Sequence, residues 1–289
     1  MTGAQRLPLP AALVAQARAY ADGGAAPAEP RDAATVVLLR DGPTGPEVYL
    51  LRRQGSMAFA GGMCVFPGGG VDRRDFDDEL VDRGLWAGPS PREWAARLGC
   101  EEPQARALVC AAVRETFEES GVLLAGPGPA EVVADTTAAD WEADRVALES
   151  RELSLTAFLE KRSLVLRTDL LGAWSGWLTP VFEPRRYRTW FFVARLPEGQ
   201  LTRDVSSESS SVTWLPAAEA VDQVERGEIS MLPPTWLTCL EVAQHAGAAG
   251  VLAAAGGRTV EMFMPEVVAD GGDFILSTPA RYAALVDAR

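Results

Sequence analysis

Histidine is almost missing from this 289-residue sequence, His245 being the single example. A multi-histidine zinc centre is therefore excluded, and any Ser-His-Asp arrangement would have to use that one residue. His245 lies in the Ala-rich stretch Glu-Val-Ala-Gln-His-Ala-Gly, where a surface or helix-end position is expected. Lysine is as scarce: Lys161 stands alone, and arginine carries the rest of the positive charge. The 27 basic side chains face 40 acidic ones, and a formal charge of −13 argues against binding nucleic acid or an anionic membrane. Cys64, Cys100, Cys110 and Cys239 show no CxxC spacing, as expected for buried thiols of a reduced, cytoplasmic protein. No apolar run is long enough to span a bilayer; Ala246–Ala255 comes nearest and is built of small residues. Leu9–Ala17 lacks the strong apolar centre of a signal peptide.

What is present, 47% hydrophobic and 23% charged residues, suits a globular chain with a sizeable core. Residues 1–30 read as a short helix followed by a Pro/Gly/Ala linker from Ala21 to Pro30. Ala34–Leu39 and Glu47–Leu51 read as a hairpin around the turn-rich Asp41–Pro46. Met63–Phe66 is strand-like and stops at Pro67, just before Gly68-Gly69-Gly70. Helices are expected at Pro91–Leu98, at Pro103–Ser120 with Gly121 closing it, at Asp140–Arg151, Thr156–Lys161 and Pro216–Arg226, and from Pro233 onward. Strands are expected at Leu178–Phe182, Arg188–Arg195, Val212–Leu215 and Thr259–Met264. Strands and helices mixed without regular βαβ alternation predict an α/β fold, a mixed sheet with helices on its faces.

The segment Leu108–Gly121 reads LVCAAVRETFEESG. On a helical wheel Val109, Cys110, Val113, Thr116 and Phe117 share one face, and Glu115, Glu118 and Glu119 point the other way. Ala111 and Ala112 flank the acids and are expected to leave open space beside them. Glu115 is an i,i+4 neighbour of Glu119 and an i,i+3 neighbour of Glu118, each pair repelling by about 0.2–0.5 kcal/mol. Arg114 offsets part of this. A hard divalent cation would turn the repulsion into coordination and bridge an acidic protein to an anionic ester. The bland alternative is a solvated acidic helix face.

Arg114-Glu115-Thr116-Phe117-Glu118-Glu119-Ser120-Gly121-Val122 resembles the second half of the Nudix box, and Phe66-Pro67-Gly68-Gly69 resembles its opening. The resemblance implies a Nudix α/β/α sandwich and Mg²⁺- or Mn²⁺-dependent hydrolysis of a diphosphate linked to another moiety. It also implies that Glu118 and Glu119 are metal ligands and Glu115 a ligand or the base. Gly69 would lend its carbonyl, and Arg114 would hold Glu118. Counted from Gly69, 44 residues precede Arg114, an insertion of about 31 relative to the family's box. The glutamate expected six positions after the glycine is Asp75, and Thr116 stands at an aliphatic position. A long insert here is similar to a branch that includes the peroxisomal coenzyme A diphosphatase of animals.

That resemblance divides the chain into 1–30, a Nudix domain at 31–240 with its helical insert at about 75–104, and a C-terminal helical extension at 241–289 packed on the same domain. The insert would act as a lid or partner surface, and the helices after Leu232 would pack on the domain or form a homodimer contact. Glu208, in a late serine-rich loop, is a further candidate ligand or base. Arg53 and Arg186 are candidates for the substrate's phosphates. Trp174, Trp177 and Trp190 are expected in the core. The substrate implied is a nucleoside diphosphate-linked small molecule, with coenzyme A or acyl-CoA, ADP-ribose and dinucleotides as the alternatives. A non-catalytic Nudix-fold nucleotide-binding regulator is the rival of another class.

Overall fold

The computed structural model describes residues 11–21, 23, 26–56, 60–270 and 273–289. The first ten residues of the expected N-terminal segment, and parts of the linker after it, lie outside the described residues. Helix α1 (Ala11–Ala21) precedes the hairpin β1 (Arg31–Gly42) and β2 (Gly45–Arg53), then short β3 (Cys64–Val65) and β4 (Gly68–Gly70). A 3-10 turn at Arg73–Phe76 leads to α2 (Glu79–Asp82), β5 (Trp86–Ala87), α3 (Pro91–Leu98) and the long α4 (Glu102–Ser120). Next come β6 (Ala125–Gly126), α5 (Ala139–Glu149), α6 (Leu155–Arg162), β7 (Val165–Arg167), β8 (Leu171–Leu178), β9 (Tyr187–Arg195) and β10 (Ser209–Pro216). The chain ends with α7 (Ala217–Glu225), α8 (Pro233–Val242), α9 (Ala248–Ala255), β11 (Met262–Phe263), the hairpin β12 (Val267–Asp270) and β13 (Asp273–Leu276), and α10 (Ala280–Asp287).

The main sheet runs β10-β2-β1-β9-β8-β11, with β3 on β2 and β4 on β1. Strands β1 and β9 pair in parallel and most other pairs are antiparallel, so the sheet is mixed. Both of its faces are buried because the middles of its central strands, Val36–Leu39 and Trp190–Ala194, are apolar on both sides. Ala34, Val36 and Leu38 of β1 join Tyr49, Leu51, Phe192 and helix α4 on one side. Val37 and Leu39 join Val48, Leu50, Phe191, Val193 and helices α7 to α9 on the other. This is an α/β/α sandwich. The helices after Leu232 cover the second face through Leu237, Leu240, Val242 and Val251. No described helix is long and apolar enough to cross a membrane.

The insert is packed into the core: Leu80, Trp94 and Leu98 sit in the cluster with α4, and the Trp190 indole N–H donates to the Leu98 carbonyl at 2.9 Å. Two strand expectations fail. Leu178–Phe182 is only the end of β8 and a turn, because Pro180 has no N–H and the Thr179 N–H closes on Tyr187 O at 3.0 Å. The real strand, Leu171–Leu178, is hard to see because of its glycines. A Cβ on Gly172 would come within 2.6 Å of Ala255, and one on Gly176 within 2.8 Å of Val260, so glycine admits the covering segments there. Thr259–Met264 shortens to Met262–Phe263, since the Val260 N–H donates to Arg97 O of the insert at 2.7 Å. His245 follows α8 with its ring edge against Trp174, and Trp174, Trp177 and Trp190 are core residues.

Candidate active site

Helix α4 begins with Pro103 in its first turn and ends on Gly121, whose φ of 74° is the left-handed region glycine favours. The Thr116 hydroxyl donates to Ala112 O and the Ser120 hydroxyl to Thr116 O, so both polar side chains are satisfied inside the core. The expected open space beside the acids is filled: Ala111 and Ala112 are wholly buried in the apolar cluster. The acids are not a solvated face either. Glu118 is buried and Glu115 and Glu119 are half-buried, enclosed by β4 and the turn after it.

Arg114 organises this face. Its Nε and Nη2 donate to the two carboxylate oxygens of Asp75 at 3.0 and 2.8 Å. Its Nη1 reaches Glu115 at 2.7 Å and Glu118 at 3.2 Å, and Nη2 also donates to the Gly70 carbonyl at 3.1 Å. The glycines form a short strand on Ala33–Thr35 of β1. A Cβ on Gly69 would lie 2.5 Å from the Glu115 carboxylate, so only glycine lets that acid close on the backbone. The Gly68 N–H donates to Glu119 at 2.7 Å.

One guanidinium cannot neutralise so many acids. Burial, with Glu115 beside it, pushes the Glu118 carboxyl up to about 7. Burial and then the charge of Glu115 hold Glu119 well above the usual carboxylate range, against the Gly68 hydrogen bond. Burial raises Glu115 too, against Arg114. Glu208 adds to the negative potential at Glu115 and Glu119 from the loop before β10, and Arg53 pairs with it at 2.8 Å. Glu115, Glu118, Glu119, Glu208, Gly69, Arg114 and Arg53 are therefore neighbours. Arg186 is elsewhere: it is buried, and it donates to Thr179 O and Ala28 O at 3.0 Å and to the Met264 sulfur.

The donor set is all oxygen and short of positive charge, which fits a hard divalent cation. Among the described residues no three Asp, Glu, His or Cys side chains already surround one point. Arg114 holds Asp75, Glu115 and Glu118, the Gly68 N–H holds Glu119, and Arg53 holds Glu208.

A family model described as the NUDT19 Nudix domain matches residues 30–241. The chain belongs to this Nudix family. The acyl-coenzyme A diphosphatase NUDT19 of Homo sapiens is 29% identical over 252 residues, covering 75% of this chain and 66% of that protein. The Gallus gallus protein of the same name is 29% identical over 249 residues, covering 71% and 65%. A crystal structure of a NUDIX hydrolase from Alicyclobacillus acidocaldarius superposes with a TM-score of 0.67 at 27% identity, covering 81% of this chain and 98% of that one. The chain spans between 57% and 66% of the length of these and similar curated relatives.

The Nudix box of this chain is split in sequence yet closed in space. Asp75 is 2% exposed, receives Arg114 in a two-pronged pair, and also accepts from the Asp72 N–H at 2.8 Å. A shorter acid than the family's glutamate thus anchors the arginine at the mouth of the insert. Sequence reasoning noted Asp75 only as a departure; its spacing from Gly69 was the available signal. It also missed Arg145, which is buried at the far end of α4.

Proposed function

We propose that the chain is a Nudix pyrophosphohydrolase that adds water across the diphosphate bond of a nucleoside diphosphate-linked metabolite. Coenzyme A or acyl-CoA is the proposed substrate and Mg²⁺ or Mn²⁺ the proposed cation. The excess of carboxylate over guanidinium on a rigid, buried helix face carries this reading. Relatives named acyl-coenzyme A diphosphatase support the substrate.

Glu115, Glu118, Glu119 and Glu208, with the Gly69 carbonyl, would hold the cation. When bound, it supplies charge neutralisation and electrophilic activation at phosphorus. Arg114 fixes Glu115 and Glu118 in place. Without the cation the Glu118 carboxyl titrates at about 7; binding the cation would hold it ionised as a ligand, and Glu115, a ligand or the base, would take the proton of the attacking water. Arg53, whose Nε is buried without a partner, stands beside Glu208 where a substrate phosphate could take its guanidinium.

The test is a panel of CoA, an acyl-CoA, ADP-ribose and a dinucleotide, with Mg²⁺ or Mn²⁺, scored by release of 3′,5′-ADP or AMP. CoA turnover is expected, and Glu118→Gln should lower it by at least ~100-fold with an unchanged circular dichroism spectrum. Full activity of that variant would remove Glu118 from the site. Tight ligand binding without turnover by the wild type would favour the non-catalytic regulator, and AMP release from ADP-ribose alone would move the substrate.

A further inference from the structure

Glu208 reaches the acids from a loop, and most of its side chain is solvent-facing, so something must fix where that loop sits. On the sheet side, the Gln54 N–H donates to Glu208 O at 3.0 Å and the Gln54 amide to Ser207 O at 2.8 Å. On the helix side the support comes from α5. Glu149 accepts from the Ser207 N–H at 3.2 Å and from the Ser207 hydroxyl at 2.6 Å. Its second oxygen accepts from Arg145 Nη1 at 2.9 Å. The same Arg145 nitrogen donates to the Glu118 main-chain carbonyl at 2.7 Å, and the rest of the guanidinium is held by Glu142. Arg145 is 3% exposed. Glu118 O is one of the last carbonyls of α4, where a buried cation is electrostatically favoured.

We propose that Arg145 and Glu149 are positioning residues: they form a strut from the last turn of α4 to Ser207 that sets Glu208 against Glu115 and Glu119. Two side chains span from the backbone of one acid-bearing element to the backbone of the other. Neither hydrogen-bonds to the carboxylate of Glu115, Glu118, Glu119 or Glu208, so their effect on the reaction passes through the placement of Glu208. This catalytic consequence rests on the hydrolase reading; the structural one does not.

The test combines amide hydrogen exchange with a double-mutant cycle. Glu149→Ala should speed exchange at the Ser207 amide by ~10-fold or more and leave the α4 amides near Glu115 unchanged. It should lower kcat by roughly tenfold with KM within about twofold. Glu149→Gln keeps an acceptor for Ser207 and should recover part of that loss. In a Glu208→Gln background, Glu149→Ala should cost nothing further. Unaltered Ser207 exchange overturns the strut. Additive losses in the double variant show that Glu149 does not act through Glu208 and overturn its positioning role. If the wild type turns over no diphosphate, the hydrolase reading falls, and the exchange measurement still decides the strut by itself.

Discussion

Two buried acid–base clusters lie on the same side of the sheet, one with its charges balanced and one left with excess negative charge. Between α5 and α6, the carboxylate of Asp144 receives Lys161 at 2.5 Å and Arg162 at 2.6 Å, and Arg162 also donates to Asp140 at 2.7 Å. Burial works against the charge of Asp144, yet these two hydrogen bonds hold its carboxyl below the usual range. At α4, one arginine is divided among Asp75, Glu115 and Glu118, with Glu119 close by, and the glutamates are pushed up instead of down. A cluster whose charges balance internally needs no further partner and stabilises the fold. One left with excess negative charge is poised for a cation or a proton.

The largest effect should come from Asp75→Asn set beside Asp144→Asn. Removing the charge that receives two of Arg114's donors weakens its anchor while Glu115 and Glu118 still compensate the guanidinium, and stability should fall by about 1.5–3 kcal/mol in urea denaturation. Hydrolysis should fall with it. Asp144→Asn, with Lys161 largely exposed, should lose about 1–2 kcal/mol and keep full activity. Equal effects of the two substitutions on activity would erase the distinction.

Arg186 sharpens the comparison from a third direction. It is as buried as Arg114, 7% against 6% exposed, but its partners are carbonyls and a sulfur. Arg186→Met should therefore lower stability by about 1–3 kcal/mol through unsatisfied acceptors and leave KM unchanged. A tenfold rise in KM at unchanged stability would restore Arg186 to substrate binding.

Much of this was legible in advance, for identifiable reasons. Helix α4 was readable because its start, apolar period and closing Gly121 agree with one another, and its glutamates follow a recognisable spacing. Asp75 was not assigned, because its partner Arg114 is 39 positions away and only the folded insert brings them together. Arg145 carried no signal: an arginine in an amphipathic helix reads as solvent-facing, and its burial depends on the end of α4 arriving beside it. Arg186 was misplaced for the converse reason, a run of arginines reading as exposed. Strand β8 was missed because glycine lowers strand propensity even where tertiary packing demands it.

Two glycines offer a finer probe of the acid-rich cluster. Gly69→Ala would put a methyl group 2.5 Å from Glu115, whereas the same change at Gly70 meets nothing nearer than Asp32 O at 4.0 Å. Turnover should fall about tenfold in the first and stay within about twofold in the second, since small displacements at a reacting centre are expensive. Similar losses in both would mean that β4 matters only as a strand.

The gentlest test uses pH, because the two clusters titrate in opposite directions. Glu118 lies near 7 when folded and near 4.3 when unfolded, so between those values the folded chain binds more protons. Stability in EDTA should then fall as pH rises from 5 to 7, by at most ~1.4 kcal/mol per pH unit for each proton taken up. Glu115 and Glu119, raised as well, add to the slope in the same sense. Asp144 is lowered, so its contribution is complete above the ordinary aspartate range and is lost only as pH falls below it; between 5 and 7 it is flat. Thermal midpoints at pH 5, 6 and 7 should therefore show a slope that Glu118→Gln reduces and Asp144→Asn leaves alone. Saturating Mg²⁺ or Mn²⁺ should flatten it by binding the ionised acids and stabilising the folded chain most at pH 7. Stability that rises with pH across this window in EDTA would mean that the acids of α4 are already neutralised, and the contrast with Asp144 would disappear.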